Sequence, residues 1–177
     1  MTEFEVDGQG SLNSIAVDNN DGSMYVAHNM DHYVKKFDAA GNFVAQQYAY
    51  ANPADVAVDE SGNVYLTATK GNGAGTHQVR IYSDFENGVL AAKIGNGQSD
   101  CSIYFGCLTG GSNWTSNTLE EGDFRQPESV AVKNGKLYVG DGNGIHVFNV
   151  KKLLLLSLEF VTLTFLGLQQ TQWFIKM

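Results

Sequence analysis

The chain has 177 residues, 43% of them hydrophobic and 17% charged, an ordinary globular balance long enough to bury one sizeable core, so a single domain is the default. A net charge of −8 and an isoelectric point near 4.8 deny it the basic footprint that phosphate binding needs, so nucleic acid is not an expected partner. Twenty glycines against two prolines, with eight tyrosines and ten phenylalanines, fit many short strands joined by tight turns, and the expected class is all-β.

From the N-terminus, Met1 to Val6 carries acids and no apolar run of signal-peptide length, so the chain reads as starting inside a longer protein. Residues 4–10, with Phe4, Gly8 and Gly10, parallel Ile94-Gly95-Asn96-Gly97 and read as the last strand of a preceding unit. A repeat follows. Val17-Asp18 recurs as Val58-Asp59 after 41 residues, and Val132 holds the same place 74 residues later, which marks units near 12–50, 51–95 and 126–150. The excess length falls in a stretch at 96–125, read as an insertion between units.

Turn chemistry at Asn20-Asp21-Gly22, Ser61-Gly62-Asn63 and Asn134-Gly135 opens a hairpin in each unit. Strands are expected near 13–18, 23–28, 33–38 and 43–48, then near 54–59, 63–68, 77–83 and 89–94. The first strands, Ser14-Ile15-Ala16-Val17-Asp18 and Asp55-Val56-Ala57-Val58-Asp59, are small or β-branched and read as inner strands buried on both faces. The third strands alternate charge and read as wet margins blunted by Lys35, Lys36 and Arg80. Asp18 and Asp59 end equivalent strands and read first as turn caps through their side-chain oxygens.

Pro53-x-x-Val56-Ala57-Val58-Asp59-x-x-Gly62-Asn63-Val64-Tyr65-Leu66 and Val34-x-x-Phe37-Asp38-Ala39-Ala40-Gly41-Asn42-Phe43 resemble the NHL repeat over about residues 4–150. That resemblance implies a β-propeller of four-stranded antiparallel blades, usually six, here incomplete with three recognisable blades plus flanking strands. It is similar, too, to secreted or surface NHL arrays of bacteria in having a long insertion with two cysteines, which implies an extracellular or cell-surface setting. The family's Asp-x-x-Asn-x-Arg turn is not kept. His28, Asp31 and Tyr33 take its places in the first unit, Ala68 the acidic place in the second, and the third keeps Asp141.

Within the insertion, Cys101 and Cys107 lie six positions apart and could close a loop as a disulfide or stay unpaired; with no further ligand pattern they make a poor zinc site. Tyr104, Phe105, Trp114 and Phe124 interleave with Gly, Ser and Asn, a composition that suits either adaptable recognition or a self-packed loop. Asn113-Trp114-Thr115 matches an N-glycosylation acceptor. The candidate ligand-binding set is therefore these four aromatics with His28 and Asp141, and no catalytic or metal residue is assigned. His28, His32, His77 and His146 are not equivalent across units and read as turn and surface residues.

After Val150 the repeat stops, and residues 151–177 form an apolar tail. The stretch 153–168 is short for a membrane helix and contains Glu159, so a span is disfavoured. An outer strand near 153–157 followed by unassigned sequence is the expectation, with a tail foreign to the fold as the alternative. No phosphate loop, dinucleotide fingerprint or nucleophile elbow is present. The reading is a non-catalytic module binding a protein, peptide or glycan through loops on one face, without cofactor and with self-association of an incomplete propeller as a further possibility. The alternative is part of a lactonase-like propeller hydrolase or a lyase, with calcium or zinc at the central channel.

Overall fold

A computed structural model describes residues 3–7, 10–28, 31–49, 52–70, 77–95, 124, 126–142 and 144–150. Eleven strands form among them, and no helix long and apolar enough to cross a membrane is found there. The first sheet is β1 (Leu12–Val17), β2 (Met24–His28), β3 (Tyr33–Phe37) and β4 (Phe43–Tyr48), in that order and antiparallel throughout. The second is β5 (Asn52–Val58), β6 (Val64–Lys70), β7 (Gln78–Asp84) and β8 (Val89–Ile94). The third is β9 (Pro127–Lys133), β10 (Lys136–Asp141) and β11 (Gly144–Asn149). The strands expected from alternation and turn residues fall within a residue or two of these bounds, because Gly22, Gly62 and Gly135 take the positive φ their hairpins need. A fourth strand near 153–157, the 151–177 tail and nearly all of the 96–125 insertion lie outside the described residues.

The sheets stack through their first strands. β5 lies against β1, β2 and β3, and β9 lies against β5 and β6. One core forms between the first two sheets from Tyr25, Ala27, Val34, Val56, Leu66 and Phe85 and their neighbours. A second forms between the second and third sheets around Tyr65, Val79, Ile81, Val130, Leu137 and Val139. The middle sheet is thus covered on both faces, as a near-continuous apolar strand such as β6 requires.

Two expectations are corrected. First strands are not the most buried: Ile15 and Val17 of β1 are exposed, because no sheet among the described residues covers that side, and β2, β3, β6 and β7 carry the greater burial. Third strands are not margins either. β4 and β8 lie outside them in the sheets, and Lys35, Lys36 and Arg80 are buried, Lys35 under the N-terminal stretch and Lys36 against the second sheet. Such charges are tolerated only with partners and with their stems packed on apolar surface. Lys36 Nζ donates to Glu86 Oε1 at 2.8 Å and lies 5.5 Å from the Tyr25 ring centre. Burial alone would lower the Lys36 pKa, but the bond to Glu86 and the Tyr25 oxygen outweigh it and raise the value.

The N-terminal stretch also departs from expectation. Residues 3–7 form no strand; they lie across the first sheet, where Phe4 packs on Phe37 with ring centres 5.5 Å apart and the Asp7 carbonyl accepts from Lys35 Nζ.

Candidate functional site

Antiparallel meanders send alternate turns to opposite edges of the stack, and the two edges differ in chemistry. At one edge stand the turns β1–β2, β3–β4, β5–β6, β7–β8 and β9–β10, each short. Asp38 shows how they close: its carboxylate accepts from the Ala40 and Asn42 amides and from Asn42 Nδ2, at 2.8–2.9 Å. Asp59 repeats this with the amides of Ser61 and Asn63 and with Asn63 Nδ2, and adds the Tyr65 hydroxyl at 2.8 Å. Burial and the Asp59 carboxylate together push the Tyr65 phenol far above its ordinary pKa. Asp18, Asp21 and Asp84 cap turns in the same way. The hydrogen bonds hold Asp21, Asp38 and Asp84 below the usual carboxylate range. Asp18 and Asp59 are turn caps, as their Asx position suggested.

The opposite edge carries the turns β2–β3, β6–β7 and β10–β11 and every connection between sheets. His28 and Asp141 end their second strands there, and Ala68 holds the same register just before the end of β6. His28 is buried with its Nδ1 3.3 Å from Asp31 Oδ2, and the same oxygen lies 3.3 Å from Lys35 Nζ. Asp141 is buried, accepts from the Gln126 amide through Oδ1, and has Oδ2 3.3 Å from His146 Nε2. Burial holds the His77 imidazole below the usual histidine pKa, with the Asp141 carboxylate acting in the other direction.

Both ends of the long connection between β8 and β9 are anchored at this edge. Gly95, at φ +96°, passes so close to the His77 carbonyl and the Phe124 ring that a side chain has no room. Phe124, expected among the recognition aromatics, is instead wholly buried, with its ring edge-on to His146 at 5.3 Å and in the second core. A Gly- and Ser-rich neighbourhood concealed that anchoring role. Tyr104, Phe105, Trp114, Cys101 and Cys107 lie outside the described residues.

Sequence reasoning passed over Asp55. Its Oδ2 accepts from the Val130 amide of β9 at 2.8 Å, and its Oδ1 accepts from Ser14 Oγ of β1 and from the Val56 amide at 2.9 Å. One carboxylate therefore links all three sheets. The signal was present as Ser14, Asp55 and Ser129 at one repeat register, a polar residue within each apolar first strand.

Among the described residues no three His, Cys, Asp or Glu side chains converge to hold a metal ion. An open depression of about 310 Å³ lies on the outer face of the third sheet, lined by Glu128, Ser129, Gly140, Asp141, Gly144 and Ile145, among others.

No protein-family model matches the chain, and no curated protein does. Among solved structures it is similar to a protein of unknown function from Bacteroides caccae, at 14% identity and a TM-score of 0.44, over 84% of this chain and 60% of that one. The chain thus spans less than two thirds of that neighbour's length.

Proposed function

We propose that the chain is part of an NHL-type β-propeller and serves as a non-catalytic module that binds a protein, peptide or glycan at the edge bearing its long connections. The observation that carries this reading is the separation of the edges: carboxylate-capped short turns on one, and on the other the β6–β7 turn together with both anchors of the 96–123 connection. Recognition loops are commonly carried in this way on a rigid sheet scaffold. Stacking of successive meanders through their first strands, at one repeat register, supports the propeller reading. His28 with Asp31 and Asp141 with Gln126 hold that edge in shape.

Arrayed glycans and arrayed synthetic peptides probed with the full chain test the proposal. Binding that is lost on Asp31→Lys at the long edge and kept on Glu60→Lys at the short edge is the expected result; loss on both, or on the second alone, refutes it. A second reading, hydrolysis, is favoured by one feature, the buried Asp141 carboxylate beside His146. Turnover of chromogenic lactones and esters that vanishes in Asp141→Asn would establish it, and absence of turnover would dispose of it.

A further inference from the structure

The third strands carry a basic residue at one repeat register. Pairing of Val26 with Lys35, Leu66 with Arg80 and Val139 with His146 places the three at equivalent positions of β3, β7 and β11. Each lies on the strand face turned from the following unit: Lys35 alternates with Val34 of the first core, Arg80 with Val79 and Ile81 of the second, and His146 with the exposed Ile145 and Val147. Lysine and arginine hold their charge around neutral pH, whereas histidine is the side chain whose charge changes there. The seam between the first and second sheets is built on Arg80, Lys36 and Glu86, residue types whose ordinary pKa values lie outside pH 5–8. The seam between the second and third sheets receives His146 instead.

A second imidazole meets it there. His77, immediately before β7, stands near enough for the Asp141 carboxylate to act on its charge, and its Nδ1 is shut from solvent without a hydrogen-bond partner. Asp141 thus serves both histidines, with Oδ2 3.3 Å from His146 Nε2 and Oδ1 taken by the Gln126 amide. The other charged groups around this seam are committed or outside it. Glu128 of β9 is exposed and accepts from Gln126 Nε2, Asp55 of β5 holds Ser14 and the Val130 amide, and Asp59 holds Tyr65 and its own turn. Lys133 and Lys136 are exposed at the short-turn edge. β6 turns Tyr65 and Thr67 to the seam and β8 turns Ala92 and Ile94, while Lys93 shares the opposite face with Arg80.

We propose that protons open the seam between the second and third sheets at its long edge: with His77 and His146 both charged, Asp141 neutralises one of them, and His77 leaves its buried place together with the packing of Phe124 and Gly95 beside it. The closed seam offers a second imidazolium neither water nor a counter-charge, and a charge in that position is costly. The ring has no room to turn aside within the seam, because the Gly95 backbone lies against the His77 carbonyl and against the Phe124 ring, which is itself edge-on to His146 at 5.3 Å. Hydration of the second cation therefore requires the seam to part. His77 is protonated less readily in the closed seam than in water, so acid favours the open form, beginning near the ordinary histidine value of about 6.5. The device belongs to the packing of the two sheets and stands whether or not the long edge binds a ligand.

Hydrogen exchange of the full chain, read by peptide mass spectrometry between about pH 7.5 and 5.5 at matched intrinsic rates, tests this. Peptides with the Gln126 and Gly142 amides, which donate to the Asp141 carboxylate and the Gln126 carbonyl, should lose protection on acidification, by up to about tenfold per pH unit for one proton. Peptides over β2 and β3 should keep theirs. His77→Gln should abolish the loss, and His146→Gln should reduce it by leaving Asp141 to a single imidazole. Protection that ignores pH, that falls equally in both seams, or that falls as much in His77→Gln as in the wild type would overturn the proposal. Should His77→Gln lose its fold, proton NMR of the wild type decides: the His77 and Phe124 ring signals should titrate together, and a Phe124 signal indifferent to His77 protonation refutes the device.

Discussion

The two edges of the stack are built from the same strands and behave as different materials. The short-turn edge is self-sufficient: each Asp satisfies the amides of its own loop within four residues, so the loop's shape is a local property. The long-connection edge is held by contacts between distant segments, such as Gln126 with Asp141 and Gly95 with Phe124. A repeat scaffold can vary the second edge freely only because the first already fixes the register of every hairpin.

Substitutions that sharpen the contrast should differ in size. Gly95→Ala should have the largest effect, about 3 kcal/mol, since it adds overpacking against Phe124 to a left-handed backbone. Urea unfolding measures this, and a loss no larger than that of Gly62→Ala would contradict the close approach. Asp59→Ala should follow at about 2 kcal/mol, because the buried Tyr65 hydroxyl loses its acceptor along with three turn bonds. Adding Tyr65→Phe should remove part of that loss in a double-mutant cycle. Gly62→Ala, at φ +80° with its nearest neighbour 3.6 Å away, should cost only the backbone term, about 1 kcal/mol.

The smallest effects concern pH, and they separate the edges by range. His77 binds its proton less tightly folded than unfolded, so stability should decline as pH falls from about 6.5 through the lower folded value. His77→Gln should flatten that decline in thermal unfolding scans. Asp21, Asp38 and Asp84 have depressed values, so their contribution is present above pH 3.8 and is lost as pH falls through the folded values. Asp38→Asn should reduce the acid-limb slope and leave the His77 region unchanged.

The strands were legible because alternation and Asp-Gly or Asn-Gly turns are local signals, and residues 12–48 needed nothing more. Burial was not. Lys35, Lys36 and Arg80 looked like a wet margin, and only contacts from outside their own sheet, such as the Asp7 carbonyl on Lys35 and Glu86 on Lys36, revealed that the faces bearing them are covered. Asp55 was missed, and the choice between recognition and self-packing was left open for Phe124, for a related reason: their partners, Val130 75 residues away and His146 across the sheet, leave no trace at short range.

Asp55 also has a consequence for how the molecule comes apart. With one carboxylate held by Ser14 and by the Val130 amide, and with the middle sheet contributing to both cores, neither outer sheet can melt without uncovering a face of the middle one. Repeat arrays often fray unit by unit from their ends. Here the amides of β6 and β7 should exchange with solvent only through an opening that takes both neighbours with it, which makes the middle sheet the slowest-exchanging part of the protein and its cooperativity a property of the whole stack.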